Sequence, residues 1–319
     1  MFRARGQAIS PSGLSLIRST HEAAAQASRS TPVFRRNARM AVSNTKITLD
    51  HLTSLIGTHD APVLLDVRID EDFSLLPALI PGSYRLPPFE HNTWANSFTG
   101  QDVVVICDKG LKLSEGVAAW LRHHGARAWS LEGGFRGWEA RGLPIVPADK
   151  IPPRKAGGET VWVTRSRPKI DRIACPWLIR RFVDPKAVFL YVEESQVAGV
   201  AEKFGATPFD VEGAFWSHRD AHCTFDTMVS EFSLNLPALT TLATIIRSAS
   251  TGSLDLAPQS SGLLAASLGL SQMYVTDLQQ LDAGLMLYDA LYRWARDASG
   301  ETHTRPAAQT LSPQTVAHA

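Results

Sequence analysis

Asp102-Val103-Val104-Val105-Ile106-Cys107-Asp108-Lys109-Gly110-Leu111-Lys112 is the stretch that decides the fold. Its apolar run has no polar alternation, so it reads as a strand, Asp102–Cys107, buried on both faces of a sheet. The run breaks at Asp108-Lys109-Gly110, and helical periodicity then extends from Leu113 to His123, with Val117, Trp120 and Leu121 on one face. A six-residue loop therefore joins the carboxyl end of a buried strand to a helix N-terminus. In open α/β sheets this crevice is where ligands bind.

Working outward, Pro62–Arg68 reads as a second buried strand and Ala126–Leu131 as a third, followed by Gly133-Gly134 and a helix through Trp138. A short amphipathic helix is predicted just after Ile47. Leu76–Pro88 holds four prolines and reads as loop, with a turn at Pro81-Gly82. Strands alternating with helices predict an α/β domain with a doubly wound parallel sheet, over residues 47–147. Pro144 to Gly158 carries four prolines and two glycines, so residues 148–160 read as a linker.

A second α/β domain is predicted over 161–300. It opens with a strand at Val161–Thr164, and Pro176 reads as the first turn of a helix. A strand at Ala187–Val192 and a helix from Glu194 to Phe204 follow. The last third is helical, ending in Asp277–Ala298, where Leu278, Leu281, Leu285, Tyr288, Tyr292 and Ala295 recur every three or four residues and Asp277 reads as the N-cap. Residues 301–319 read as a disordered tail.

Net charge over the 319 residues is +1, but residues 1–49 carry seven Arg and one Lys against one Glu. The rest of the chain is mildly acidic, which argues against nucleic acid as a partner. Residues 1–46 read as a leader outside the fold, either a transit-peptide-like segment or an over-extended start before Met40. No apolar run is long enough to span a membrane. Three cysteines (Cys107, Cys175, Cys223) make no disulfide framework, so a reducing, cytoplasmic location is expected.

Cys107 carries the strongest chemical signal. Free N–H groups at the following helix start would stabilise an anion in the loop, and Lys109 and Lys112 would add to that field. Gly110 would let the backbone curl. The bland alternative is a small buried residue at a strand end.

At this point a family is recognisable. Residues 47–147 resemble the rhodanese domain of sulfurtransferases in Leu65-Asp66-Val67-Arg68, Ile80-Pro81-Gly82, the Cys107 loop, Gly133-Gly134-Phe135 with Trp138, and Gly142-Leu143-Pro144. The resemblance implies that Cys107 accepts a sulfane sulfur as a persulfide and passes it to a thiophilic acceptor, with no cofactor required. It implies a cradle of backbone amides from Asp108, Lys109, Gly110, Leu111 and Lys112. It also implies a donor such as thiosulfate favoured by Lys112, and Asp66 and Arg68 ordering the catalytic region. Phosphatases of this fold place an Arg six positions after the cysteine. Here that position is Leu113, so a phosphate fork is missing. The Gly-His that commonly precedes Ile80-Pro81-Gly82 is replaced by Ala78-Leu79.

The second half resembles the C-terminal domain of chromate-resistance (ChrB-type) proteins. The likeness rests on Asp171-Arg172-Ile173-Ala174-Cys175-Pro176-Trp177-Leu178-Ile179-Arg180-Arg181-Phe182, Phe209-Asp210-Val211, Ser217-His218, Cys223-Thr224-Phe225-Asp226 and Leu287-Tyr288-Asp289. It implies a link to chromate tolerance. Arg165, Arg172 and Arg180 are candidates for holding an oxyanion such as chromate; a solvated basic face is the alternative. His218, Asp226 and Glu193 are candidate ligands for a divalent metal. Two functions are carried forward: a sulfur-transferring enzyme linked to chromate tolerance, and a non-catalytic oxyanion- or metal-responsive sensor in which Cys107 is a redox thiol.

Overall fold

The valine run becomes strand β5 (Asp102–Ile106), in the middle of a five-stranded, all-parallel sheet. Its companions are β1 (Lys46–Ile47), β2 (Val63–Asp66), β4 (Ser83–Arg85) and β6 (Arg127–Leu131), in the order β1-β6-β5-β2-β4. Two short strands, β3 (Ala78–Leu79) and β7 (Val146–Pro147), pair antiparallel beside it. The computed structural model describes residues 45–302. The leader expected over 1–46 and the tail over 301–319 lie outside the described residues, apart from Thr45, Lys46, Glu301 and Thr302. Lys46 is already part of β1.

Alternate residues of the central strands serve two cores, which is why the run has no polar face. Leu65, Val67, Val103 and Val105 pack on one side with Val117, Ala118 and Leu121 of the helix Lys112–His123. Leu64, Val104 and Ile106 point to the other side, against Leu52 of the helix Leu49–Leu55 and Phe135 and Trp138 of the helix Gly134–Ala140. Fully burying each such side chain contributes about 1.5–3 kcal/mol. This is the rhodanese-like α/β fold with a parallel sheet.

In the second half, β8 (Val161–Arg165) lies between β9 (Val188–Val192) and β10 (Thr207–Pro208), all parallel. Val163 packs with Val197 of the helix Val197–Phe204. Trp162 faces the opposite way, into edge contacts with Phe209 and Trp216. Helices Asp171–Leu178, Thr224–Glu231, Pro237–Thr251, Ser260–Met273 and Asp277–Arg293 make up the helical region.

Three details depart from the sequence reading. The proline-rich stretch 76–88 contains β3 and β4 rather than loop alone, because its prolines fall between the paired positions. Pro176 lies well inside its helix, not in the first turn. Lacking an N–H, it leaves the Arg172 carbonyl without its helical donor, and the Tyr191 hydroxyl donates to that carbonyl at 2.9 Å instead. The N-cap of the last long helix is Thr276, whose hydroxyl accepts from the Gln279 amide at 3.3 Å, rather than Asp277.

The segment predicted as a linker is fastened at both sides. The Ala148 amide donates to the Pro77 carbonyl (2.9 Å), Lys150 pairs with Glu231 (2.7 Å), and Arg154 pairs with fully buried Asp184 (2.8 Å). One apolar cluster runs from Leu52 and Trp138 in the first half to Trp177, Phe182 and Tyr292 in the second. Phe182 inserts where Gly57 has no side chain; a Cβ there would overlap the Phe182 ring and touch Tyr292 at 3.0 Å. The Gly82 amide donates to the Phe182 carbonyl at 2.7 Å, so the join is polar as well as apolar.

Candidate functional sites

The register Asp66↔Ile106 levels the ends of β2 and β5, and the Val67 amide donates to the Ile106 carbonyl at 2.8 Å. Cys107 emerges next, 5% exposed, with Sγ 3.1 Å from the hydroxyl of Ser114 in the first turn of the following helix. That helix starts at Lys112, one residue earlier than its apolar periodicity indicated.

The loop is folded against the Gly133-Gly134 turn. The Cys107 and Asp108 carbonyls accept from the amides of Phe135 (2.9 Å) and Arg136 (3.0 Å), and the Asp108 carboxylate takes Arg136 Nε at 2.7 Å. Gly110 has φ +67°, and a Cβ on it would stand 2.6 Å from the Gly134 nitrogen and closer still to the Leu131 carbonyl. The glycines of both segments thus exist because two backbones touch. Lys109, Leu111 and Lys112 are exposed around the thiol. A buried sulfur, a helix N-terminus and two solvent-facing lysines together suit an anion that must reach the sulfur.

Asp66 and Arg68 do not engage Cys107. Both are 1% exposed and pair with each other, Arg68 Nε lying 2.9 Å from Asp66 Oδ2. Arg68 also donates to the Ala78 carbonyl at 2.5 Å and lies 3.6 Å from the centroid of the Phe135 ring. They are positioning residues that join the end of β2 to the start of the helix beneath the loop. Sequence reasoning passed over Ser114 and Arg136. Position 114 had a readable signal, since a hydroxyl in the first turn of that helix faces back towards the loop.

In the second half the three arginines part company. Arg172 Nε and Arg165 Nη2 approach Asp210 Oδ2 at 3.4 and 3.7 Å, whereas Arg180 turns to Asp282 (3.6 Å) and the Phe189 ring. The proposed metal trio also separates. Asp226 is held by Arg247 (2.8 Å) and the Cys223 amide (3.0 Å), and Glu193 accepts from Ser166 at 3.2 Å. His218 instead meets Asp210 (3.3 Å) and Asp171 (3.9 Å), two carboxylates that the sequence showed only as parts of motifs. Burial pushes the Cys175 and Cys223 thiols far up, so neither is a nucleophile near neutral pH. Asp289 accepts from Trp177 Nε1 (2.8 Å) and Arg181 (2.7 Å), which ties the last long helix to the segment around Pro176.

Comparison with known proteins falls into the same two halves. Residues 48–141 match the rhodanese-like domain family and residues 162–295 match the C-terminal domain of ChrB. The chain thus combines a rhodanese-like domain with a ChrB C-terminal domain. It is similar to Protein ChrB of Cupriavidus metallidurans, with 33% identity over 132 residues that cover 41% of this chain and 39% of that protein. The chain therefore spans about two fifths of the length of that relative.

Among solved structures, a rhodanese-related protein from Thermoplasma volcanium is 27% identical, covering 32% of this chain and 97% of its own, with a TM-score of 0.28. A rhodanese-like domain protein from Staphylococcus aureus is 29% identical, covering 30% and 90%, with a TM-score of 0.26. Among the described residues, no helix is long and apolar enough to cross a membrane.

Proposed function

We propose that the rhodanese-like half transfers sulfane sulfur through a Cys107 persulfide and that the whole chain acts in chromate tolerance. The observation that carries this reading is the placement of Cys107 Sγ at the start of the helix Lys112–His123, 3.1 Å from the Ser114 hydroxyl, under a loop with Lys109 and Lys112 exposed. The Cys107 thiolate attacks the outer sulfur of thiosulfate. A sulfur–sulfur bond forms at Cys107, the donor's own sulfur–sulfur bond breaks, and sulfite leaves with the electron pair. A nucleophilic acceptor, a thiol or cyanide, then takes the outer sulfur, and the Cys107 thiolate is restored. Electrons balance with no external oxidant and no cofactor.

The ChrB C-terminal domain supports the link to chromate, and the three unpaired, buried cysteines suit a reducing, cytoplasmic setting. A non-catalytic oxyanion- or metal-responsive sensor, with Cys107 as a redox thiol, is the second reading, and the convergence of His218 with Asp171 and Asp210 in the second half favours it. One experiment separates the two: thiocyanate formation from thiosulfate and cyanide, with Cys107→Ser in parallel. Turnover by the wild type that is lost in the variant supports the enzyme. If both proteins are inert and Cys107 takes no sulfur from polysulfide, sulfur transfer is wrong and the sensor stands.

A further inference from the structure

Asp171 is 2% exposed, yet among the described residues no lysine or arginine lies within ion-pair distance of it. Its hydrogen-bond donors are neutral: the Phe225 amide at 3.0 Å on Oδ1 and the Ser250 hydroxyl on Oδ2. A second carboxylate, Asp210, lies beside it, with Oδ1 accepting from Thr224 at 2.7 Å and Oδ2 turned to Arg172 and Arg165. Two buried carboxylates side by side, one with no fixed counter-charge, are costly unless a proton or a cation neutralises them, and the imidazole beside them selects for a cation.

His218 supplies the third group. Its Nε2 is 3.3 Å from Asp210 Oδ1 and 3.9 Å from Asp171 Oδ2, and the three ligand atoms all lie within 4.8 Å of one another. Donors bound about 2.1 Å from an ion stand about 3.0 Å apart at octahedral angles and about 3.4 Å apart at tetrahedral ones. The His218 side chain is 44% exposed, so it is free to move towards an ion held between the two carboxylates. Hydroxyl and amide donors already orient both carboxylates, as metal ligands require. The backbone is held in place too. Asp210 has φ +51° and Ile170, just before Asp171, has φ +33°, and the Ile170 carbonyl is pinned by the Tyr288 hydroxyl at 3.1 Å.

We propose that Asp171, Asp210 and His218 bind one divalent first-row transition cation, with its free coordination positions open to the adjoining cavity. That cavity, about 240 Å³, is lined by Arg165, Glu194, Glu212 and Ser217 as well as Asp210 and His218. An imidazole with two carboxylates suits ions of the zinc and manganese kind. With three protein donors the ion keeps room for a water or an anionic oxygen, which would also meet the Arg165 guanidinium. The site is independent of Cys107 chemistry.

The test is calorimetric titration of the full, chelator-treated chain with Zn(II), and visible absorption with Co(II). One equivalent should bind. His218→Ala, which removes a half-exposed side chain and should retain the far-ultraviolet circular dichroism of the wild type, should weaken binding about 100-fold; Asp210→Asn should do the same. His222→Ala, removing an exposed imidazole four residues on, should leave affinity unchanged. Absence of binding by the wild type, or equal affinity in wild type and His218→Ala, overturns the proposal. So does an equal loss in His222→Ala, since the ion would then be held by surface histidines.

Discussion

Ser114 and Gly110 separate what the Cys107 loop needs for chemistry from what it needs for shape. Ser114→Ala removes the side-chain partner of the Cys107 sulfur found among the described residues, together with a hydrogen bond to the Leu111 carbonyl (3.1 Å). A hydrogen bond to an ionised group is worth about 1.5–3 kcal/mol. Thiocyanate formation should therefore slow about tenfold or more, with the melting temperature lowered by only a few degrees. Gly110→Ala should act in the opposite order. The new Cβ would press on the backbone of Leu131 and Gly134 at a left-handed φ, costing at least about 2 kcal/mol. A melting curve should shift down by about 4–8 °C, and sulfur transfer would fall because the loop is displaced. His218 shows the limit of reading residues in isolation: it stood out as a candidate ligand, but the carboxylates it meets, Asp171 and Asp210, lie 47 and 8 positions away along the chain, and only the fold shows which of the acids converge.

Between elements, buried pairs and surface pairs should behave differently. Arg68 spans the end of β2, the carbonyl of Ala78 and the ring of Phe135. Arg68→Met leaves the Asp66 carboxylate buried without its partner, which should cost about 3–5 kcal/mol in urea unfolding. Glu231 joins the segment after β7 to the second half through Lys150 and Arg219. Hydrogen bonds from Lys150 and then Arg219 hold its carboxyl below the usual range. A depressed carboxyl stabilises in full above its ordinary value and loses that contribution as pH falls through the depressed one. The stability gap between wild type and Glu231→Gln should therefore be about 1 kcal/mol near neutrality and close as the pH falls below the ordinary carboxyl range. At this scale the sequence was most legible where a strand is buried on both faces, as at 102–107 and 62–68, because apolar runs report two-sided burial directly. It was least legible at Pro176 and in 148–160. There the backbone's missing donor and the segment's anchors are met by Tyr191, Glu231 and Asp184, residues distant in sequence.

Across the molecule, the apolar cluster that passes from Trp138 to Phe182 and Tyr292 makes the two halves share a core. Phe182→Ala, placed where Gly57 leaves room for its ring, should cost about 3–5 kcal/mol. It should lower both the calorimetric melting temperature and the stability of the rhodanese-like half. Calorimetry of the wild type should show a single transition for residues 45–302; two resolved peaks would contradict the shared core. Gly57 has a wider meaning than its packing. A notch on one half that only the ring of the other can fill makes each half the other's quality control: a chain in which either fails to fold exposes the seam. The Cys107 loop and the His218 cluster are then supplied in a fixed one-to-one ratio, gained and lost together.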